Sequence, residues 1–368
     1  MLASLGLSAS AEAALHNYCQ NAFVNALGQL PEPGTLAAEP SVAAWEGYRD
    51  AAHAAGCSIW EVLCQRLPQC RFPIAAGISE RADYRAATRR GVYPEHAEPP
   101  VLEQPDALTL AIHPTPAGPI PILTAATRAD FVTLVRALLR RNEPVAVPDA
   151  MGAVMVAGFN NWDRIARHRA AWERDNPQAG KAAWSAAFKT LTQDRSAYQD
   201  RFIILSTGPY SGVAGADLGI DDAAHWCALS LAIRRDHECA HHATIRLFNS
   251  MRNHHHDELI ADYMGITAAT GSFRADWYLR FLGLEAFPAV RASGRFGNYL
   301  GDLPAESDAA RGLQMLLIRA AAAVEQRHQQ LLARQIPLES VRNQLFRWLC
   351  AHRLDAIAEH ADTDRRQS

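Results

Sequence analysis

No apolar run in this chain approaches the ~20 residues a bilayer-spanning helix needs; among the longest are FIIL at 202–205 and AAAAV at 320–324. The opening MLASLGLSASAEAALHNYC is small and apolar but lacks the positive segment that begins a secretory signal. The expectation is therefore a cytoplasmic protein with no membrane partner. Charge of one sign is missing too. The 36 Lys and Arg stand against 39 Asp and Glu, a net charge of −3, which provides no electrostatic footprint for nucleic acid. Cysteine is sparse, seven in number and odd, so a disulfide framework is not expected. Cys57, Cys64 and Cys70 match no zinc-knuckle spacing and read as buried thiols. There is no internal repeat. The glycine-rich TGPYSGVAGADLG (207–219) lacks the Gly-Lys-Ser/Thr ending of a phosphate-binding loop and reads as a turn.

The 368 residues are 49% hydrophobic, enough for substantial cores and for two domains or one with an added lobe. The patterning predicts an α+β, mostly helical protein. Residues 1–100 read as a helical N-terminal region, with helices such as AEAALHNYCQNAFVNAL (11–27) and SIWEVLCQRL (58–67). A boundary is expected at HAEPPVLEQPD (96–106), which carries three prolines. Residues 101–368 then form one domain: a strand-containing lobe (101–220) and a helical lobe (221–368). Strands are expected at 107–112, 119–125, 145–158 and 201–206. Thr127 and Asp130 cap a helix ending near Asn142, and another helix covers 160–172. Asp221 or Asp222 starts a long helix, and two more run from about Ser307 to Gln335 and from Pro337 to about His360.

The chemistry is concentrated in RRDHECAHHATIRLF (234–248). Trp226, Leu229, Ile233, His237, His241, Ile245 and Phe248 recur at three- and four-residue steps, so one helix face turns both histidines inward. At i, i+4 spacing two imidazoles can grip one ion, while Glu238, rotated aside, can reach an ion-bound water. His237-Glu238-Cys239-Ala240-His241 is thus an HExxH string. A catalytic zinc keeps three protein ligands and one open position, so a third ligand is required. The metzincin continuation fails, because Thr244 and Leu247 stand where it needs glycine and histidine. Further on, Glu258 and Asp262 lie four apart on a helix that Asn253 or Asp257 can cap, bordered by the small Ala261 and Gly265.

HECAH followed by ELIAD resembles the gluzincin group of zinc metallopeptidases, whose pattern is HExxH then ExxxD. The resemblance covers about residues 237–262. It implies His237, His241 and Glu258 as zinc ligands, Glu238 as general base and Asp262 as the group behind a ligand imidazole. It also implies a zincin-like fold and a peptide or amide-containing substrate. The sixteen residues between His241 and Glu258 require the first helix to stop soon after Ile245, with a turn around Phe248–His254. If that helix ran on to Met251, a histidine of 254–256 would take over as third ligand; otherwise that run reads as a solvated turn. An edge strand near the metal helix pairs with substrate in that fold, and RFIILSTGPYSG is the candidate. Tyr210, Arg295 and Tyr299 are candidate oxyanion donors.

Two other readings compete. Glu238-x-x-His241 and Glu325-x-x-His328 also match the paired motif of a carboxylate-bridged di-iron oxygenase. A non-catalytic zincin-like binding protein with a structural metal is the other, although such a protein has no use for Glu238. Oligomeric state leaves no trace in the sequence.

Overall fold

A computed structural model describes residues 2–23 and 36–364. Among these, thirteen α-helices and one four-stranded sheet make a mixed, mostly helical α+β protein. No helix is long and apolar enough to cross a membrane. The chain divides into two compact units. One comprises Ala37–Pro114 and Gly118–Thr207; the other comprises Gly208 onward, Thr115–Ala117 and the described part of Met1–Leu36.

The first of these holds α2 (Val42–Ala55), α3 (Ile59–Arg66), α4 (Ala82–Arg90), β1 (Thr109–His113), β2 (Ile120–Ala125), α5 (Arg128–Leu138), β3 (Ala153–Asn160), α6 (Trp162–Asp175), α7 (Lys181–Leu191) and β4 (Gln199–Ser206). The strand order is β1-β2-β4-β3. β1 and β3 run antiparallel to their neighbours, and β2 pairs parallel with β4 from Ile122↔Ile203 to Ala125↔Ser206. β2 and β4 are the apolar central strands, paired on both sides, and Phe202 to Leu205 of β4 are fully buried. This corrects the edge-strand expectation: β4 is internal, and its backbone bonds are spent on β2 and β3. Residues 145–148 form no strand; that segment begins only at Ala153. Thr127 caps α5 as expected, but the Asp130 carboxylate accepts from the backbone N–H of Glu103 and Gln104 instead of closing the box. That helix stops at Leu138.

The expected division at residue 100 falls inside this unit. Trp45, Tyr48, Trp60 and Leu63 from α2 and α3 share one apolar core with Leu123, Leu134, Phe202 and Ile204, so no core boundary separates these helices from the sheet. The cysteines are all free thiols; Cys70 is buried, while Cys57 and Cys64 are half-buried.

The other unit is helical: α1 (Ala9–Tyr18), α8 (Ala223–Phe248), α9 (His255–Thr270), α10 (Ala275–Leu282), α11 (Asp308–Ala333), α12 (Leu338–Ala351) and α13 (Leu354–Asp364). The 11–27 helix ends at Tyr18, and residues 24–27 of that expectation lie outside the described residues. The single helix expected after Pro337 is two. His352 takes an extended conformation, and the break turns Leu354, Ile357 and Ala358 into the core, where each is fully buried. Pro337 sits at the N-cap, one position before the first turn.

Candidate metal centre

α8 starts where Asp222 caps it, its Oδ1 accepting from the N–H of Ala224 (2.9 Å) and His225 (3.2 Å). It ends at Phe248 because Asn249 turns left-handed, with φ of 51°, a conformation that asparagine tolerates at a helix end. After six intervening residues α9 begins at His255. Its N-cap is His254, which makes no side-chain cap; Asp257 instead accepts from the N–H of Arg252 across the turn (3.0 Å). His241 faces Glu258, His237 faces Asp262 and Ile233 faces Gly265, so position numbers fall along one helix as they rise along the other. The two helices are therefore antiparallel neighbours. Their separation is set at Gly265, where a Cβ would stand 2.5 Å from the Ile233 carbonyl oxygen.

This close pairing brings the three expected ligands together. One ligand atom each of His237, His241 and Glu258 lies within 4.8 Å of the others, and all three residues are buried. The two Nε2 atoms are 3.1 Å apart, and Glu258 approaches His241 Nε2 at 3.3 Å and His237 Nε2 at 3.6 Å. Ligand atoms held tetrahedrally at the usual zinc distances are about 3.3 Å apart. The donor set, two imidazole nitrogens and a carboxylate, and its dimensions fit that ion.

Behind His237, Nδ1 lies 2.9 Å from Asp262 Oδ1. The Tyr210 hydroxyl donates to the same oxygen (2.7 Å) and lies 2.8 Å from Nδ1. With its proton on Nδ1 toward the carboxylate, the ring turns the Nε2 lone pair to the ligand cluster. Arg295 spans the two α9 acids, donating from one amino group to Glu258 Oε2 (2.9 Å) and from the other to Asp262 Oδ2 (2.6 Å). Its guanidinium also lies over the Tyr210 ring, 5.2 Å from the centroid.

The electrostatics follow from these neighbours. Burial pulls the His241 imidazole down, but the hydrogen bond to Glu258 and the charges of Glu258, Glu238 and Asp257 overcome it and push it up to about 9. Burial likewise opposes ionisation of Glu258, yet His241, His237 and Arg295 hold its carboxyl far below the usual range. Arg295 and His237 also lower the carboxyl of Asp262, against the opposing effect of its burial. Burial drives the Tyr210 phenol well above its ordinary value, so it remains a protonated donor. The site is rich in ionised oxygen, the environment in which a cation replaces protons.

Glu238 sits half-buried beside the ligand face of α8, one position on from His237. Tyr210 takes up a position behind His237 rather than before the ligand atoms, and both terminal nitrogens of Arg295 are engaged by acids. Arg295 Nε is buried and without a partner among the described residues. Tyr299 packs edge-on against His255 (5.6 Å), and its backbone carbonyl accepts from the Tyr18 hydroxyl (2.6 Å). The 254–256 run is not a solvated turn: His255 and His256 are buried, with Nε2 atoms 3.0 Å from the Phe296 carbonyl and 2.8 Å from that of Leu349. Glu325 accepts from the Ala275 N–H (3.0 Å), and His328 lies 3.0 Å from the Tyr263 hydroxyl. Among the described residues neither joins a metal-ligating group.

Several supporting residues gave no sequence signal. Ser230 Oγ accepts from the Tyr210 N–H (3.0 Å), and Arg234 donates to the Pro209 carbonyl (3.1 Å), pinning the loop to α8. Arg342 on α12 joins Asp236 (2.8 Å) to the Met264 carbonyl (3.1 Å), tying α8 to α9. Their i, i+4 spacing places Ser230 and Arg234 on one face, but nothing in it foretells a loop partner. Compared with known proteins, residues 1–361 match the model described as a family of unknown function (DUF7005). No curated protein and no solved structure matches.

Proposed function

The chain belongs to this family of unknown function, so its chemistry rests on the buried cluster, and from that cluster we propose a zinc-dependent hydrolase of the gluzincin type with a zincin-like catalytic unit. One observation carries the reading: Nε2 of His237, Nε2 of His241 and the Glu258 carboxylate converge inside the protein with zinc-like spacing. His237, His241 and Glu258 would hold the ion. Bound there, zinc would supply Lewis acidity and lower the pKa of its water to about 7.

Every other task falls to the chain's own side chains. Asp262 and Tyr210 hold His237 in the tautomer that leaves Nε2 free. Arg295 orients Glu258 and balances the charge of two adjacent carboxylates. Glu238 takes the proton of the attacking water and returns it to the leaving amine. The peptide or amide substrate comes with the gluzincin resemblance.

Elemental analysis of the purified protein tests the proposal, with one zinc per chain expected and none in His241→Ala. Glu238→Gln is expected to retain zinc while hydrolysis of peptide and amide substrates falls by about 10²–10⁴-fold. Two irons per chain, or hydrolysis undiminished in Glu238→Gln, overturns it.

A further inference from the structure

The sheet-containing unit has a cavity of about 370 Å³ that the metal chemistry does not use. Gln69, Ser79, Tyr84, Arg89, Arg141 and Asn160 contribute to its wall, which contains two arginines and no carboxylate. Among the described residues neither arginine has an acidic partner. A smaller cavity of about 190 Å³ in the same unit differs: its Glu39 pairs with Arg201 (2.9 Å) and its Asp200 with Arg164 (2.6 Å).

Two features of the larger cavity bear on what it could hold. The first is Arg141, which stands with Asn142 at the centre of the tight turn after α5: its φ is 54°, and the Glu143 N–H donates to the Arg140 carbonyl (3.0 Å) to close the turn. Its neighbour Asn142, at φ 60°, is the second central residue of that turn and is held by its side chain as well. The Asn142 amide donates to the carbonyls of Gln69 (3.0 Å) and Phe72 (2.8 Å) and accepts from the Tyr84 hydroxyl (3.2 Å). Arg141 is exposed and contributes to the cavity wall, near enough to Tyr84 for its charge to act on that phenol. The second feature is Gln69. This side chain is 8% exposed, and its Oε1 is a buried acceptor without a donor, a condition folded proteins rarely leave standing. Arg89, in the last turn of α4, occupies a common place for a basic residue and adds charge to the same wall.

We propose that this cavity binds a small organic oxyanion, a phosphate or a carboxylate, whose charge Arg141 and Arg89 take and whose hydroxyl or amine donates to Gln69 Oε1. The volume suits a ligand of a few carbon atoms to sugar-phosphate size. Nothing in this inference depends on the metal.

Calorimetric titration of the full-length protein with inorganic phosphate, malonate and glycerol 3-phosphate tests it. Saturable binding is expected for the phosphates if the ligand is a phosphate, and for malonate if it is a carboxylate. Arg141→Gly, which suits the positive φ of the turn, is expected to keep the thermal midpoint while affinity falls by about tenfold or more. Arg89→Ala, an exposed change, is the second variant should the first fail to fold, with the same loss expected. Gln69→Met is expected to weaken glycerol 3-phosphate and spare malonate, which offers no donor. Absence of saturable binding by all three probes, or affinities unchanged in Arg141→Gly and Arg89→Ala, overturns the proposal.

Discussion

Replacing Gly265 by alanine adds one methyl at the closest point between α8 and α9. The new Cβ would stand 2.5 Å from the Ile233 carbonyl oxygen, 3.1 Å from Ile233 Cγ2 and 3.2 Å from its carbonyl carbon. Ordinary carbon–oxygen contact is about 3.4 Å, so the helices must part by about 0.9 Å. The obstacle is backbone and cannot rotate away. Overpacking of this kind costs about 1–3 kcal/mol, against about 1 kcal/mol gained because alanine favours a helix over glycine. The net expectation is destabilisation of up to about 2 kcal/mol. The same shift acts on the metal site, since Asp262 and Glu258 lie one and two turns before Gly265 on α9. Their partners are on α8, and a ligand set tolerates roughly 0.5 Å of misplacement. Zinc affinity should fall by about 10–100-fold. Urea denaturation of the metal-free variant measures the first quantity, and competition with a chromophoric chelator the second. A variant as stable as the parent, or stabilised as an exposed glycine-to-alanine change would be, with zinc affinity intact, would refute the packing argument.

Asp262→Asn removes the charge facing His237 Nδ1 and Arg295, and a loss of zinc affinity of about 10–100-fold is expected by the same competition assay; an unchanged affinity would contradict its assigned part. Arg295→Met leaves two buried carboxylates uncompensated, so the metal-free protein should lose about 3 kcal/mol and the zinc-loaded protein less, because the ion supplies the missing charge. Equal losses in both forms would count against that compensation. Burial lowers the His255 imidazole from 6.5 to about 4. Between those values the unfolded chain binds a proton that the folded chain refuses, so stability rises with pH. The contribution is complete above about pH 6.5 and lost as pH falls to about 4, about 3 kcal/mol in all. His255→Leu should flatten that part of the stability–pH curve, and a slope unaltered by the substitution would show that other groups produce it.

How much of this was legible beforehand depends on the range of the interaction involved. The HExxH spacing on an inward-facing stripe is a local property of one helix, and α8 delivers His237 and His241 as the periodicity requires. Asp222 at its start and Asn249 at its end are equally local, since a cap is made within one turn. The small residues Ala261 and Gly265 are visible in sequence beside Glu258 and Asp262, and Gly265 against Ile233 is where the two helices come closest. By contrast, β4 reads as apolar in sequence whether it is an edge or a centre strand of its sheet. Its partners, β2 and β3, come from distant parts of the chain. Likewise His255 and His256 look solvent-loving as a run and are buried, because Phe296 and Leu349 present carbonyls to them.

The sequence by itself determined the pieces: which helix carries the imidazoles, where it starts and stops, and which face it buries. Those outcomes follow from backbone geometry and neighbours within about four residues. Tertiary structure decided everything that needs two distant segments to meet. It set Arg295 across Glu258 and Asp262, put Tyr210 behind His237 rather than before it, and merged α2 and α3 with the sheet in one core. A buried charge or phenol takes whatever partner packing brings within about 3 Å, and no local periodicity encodes which one that will be.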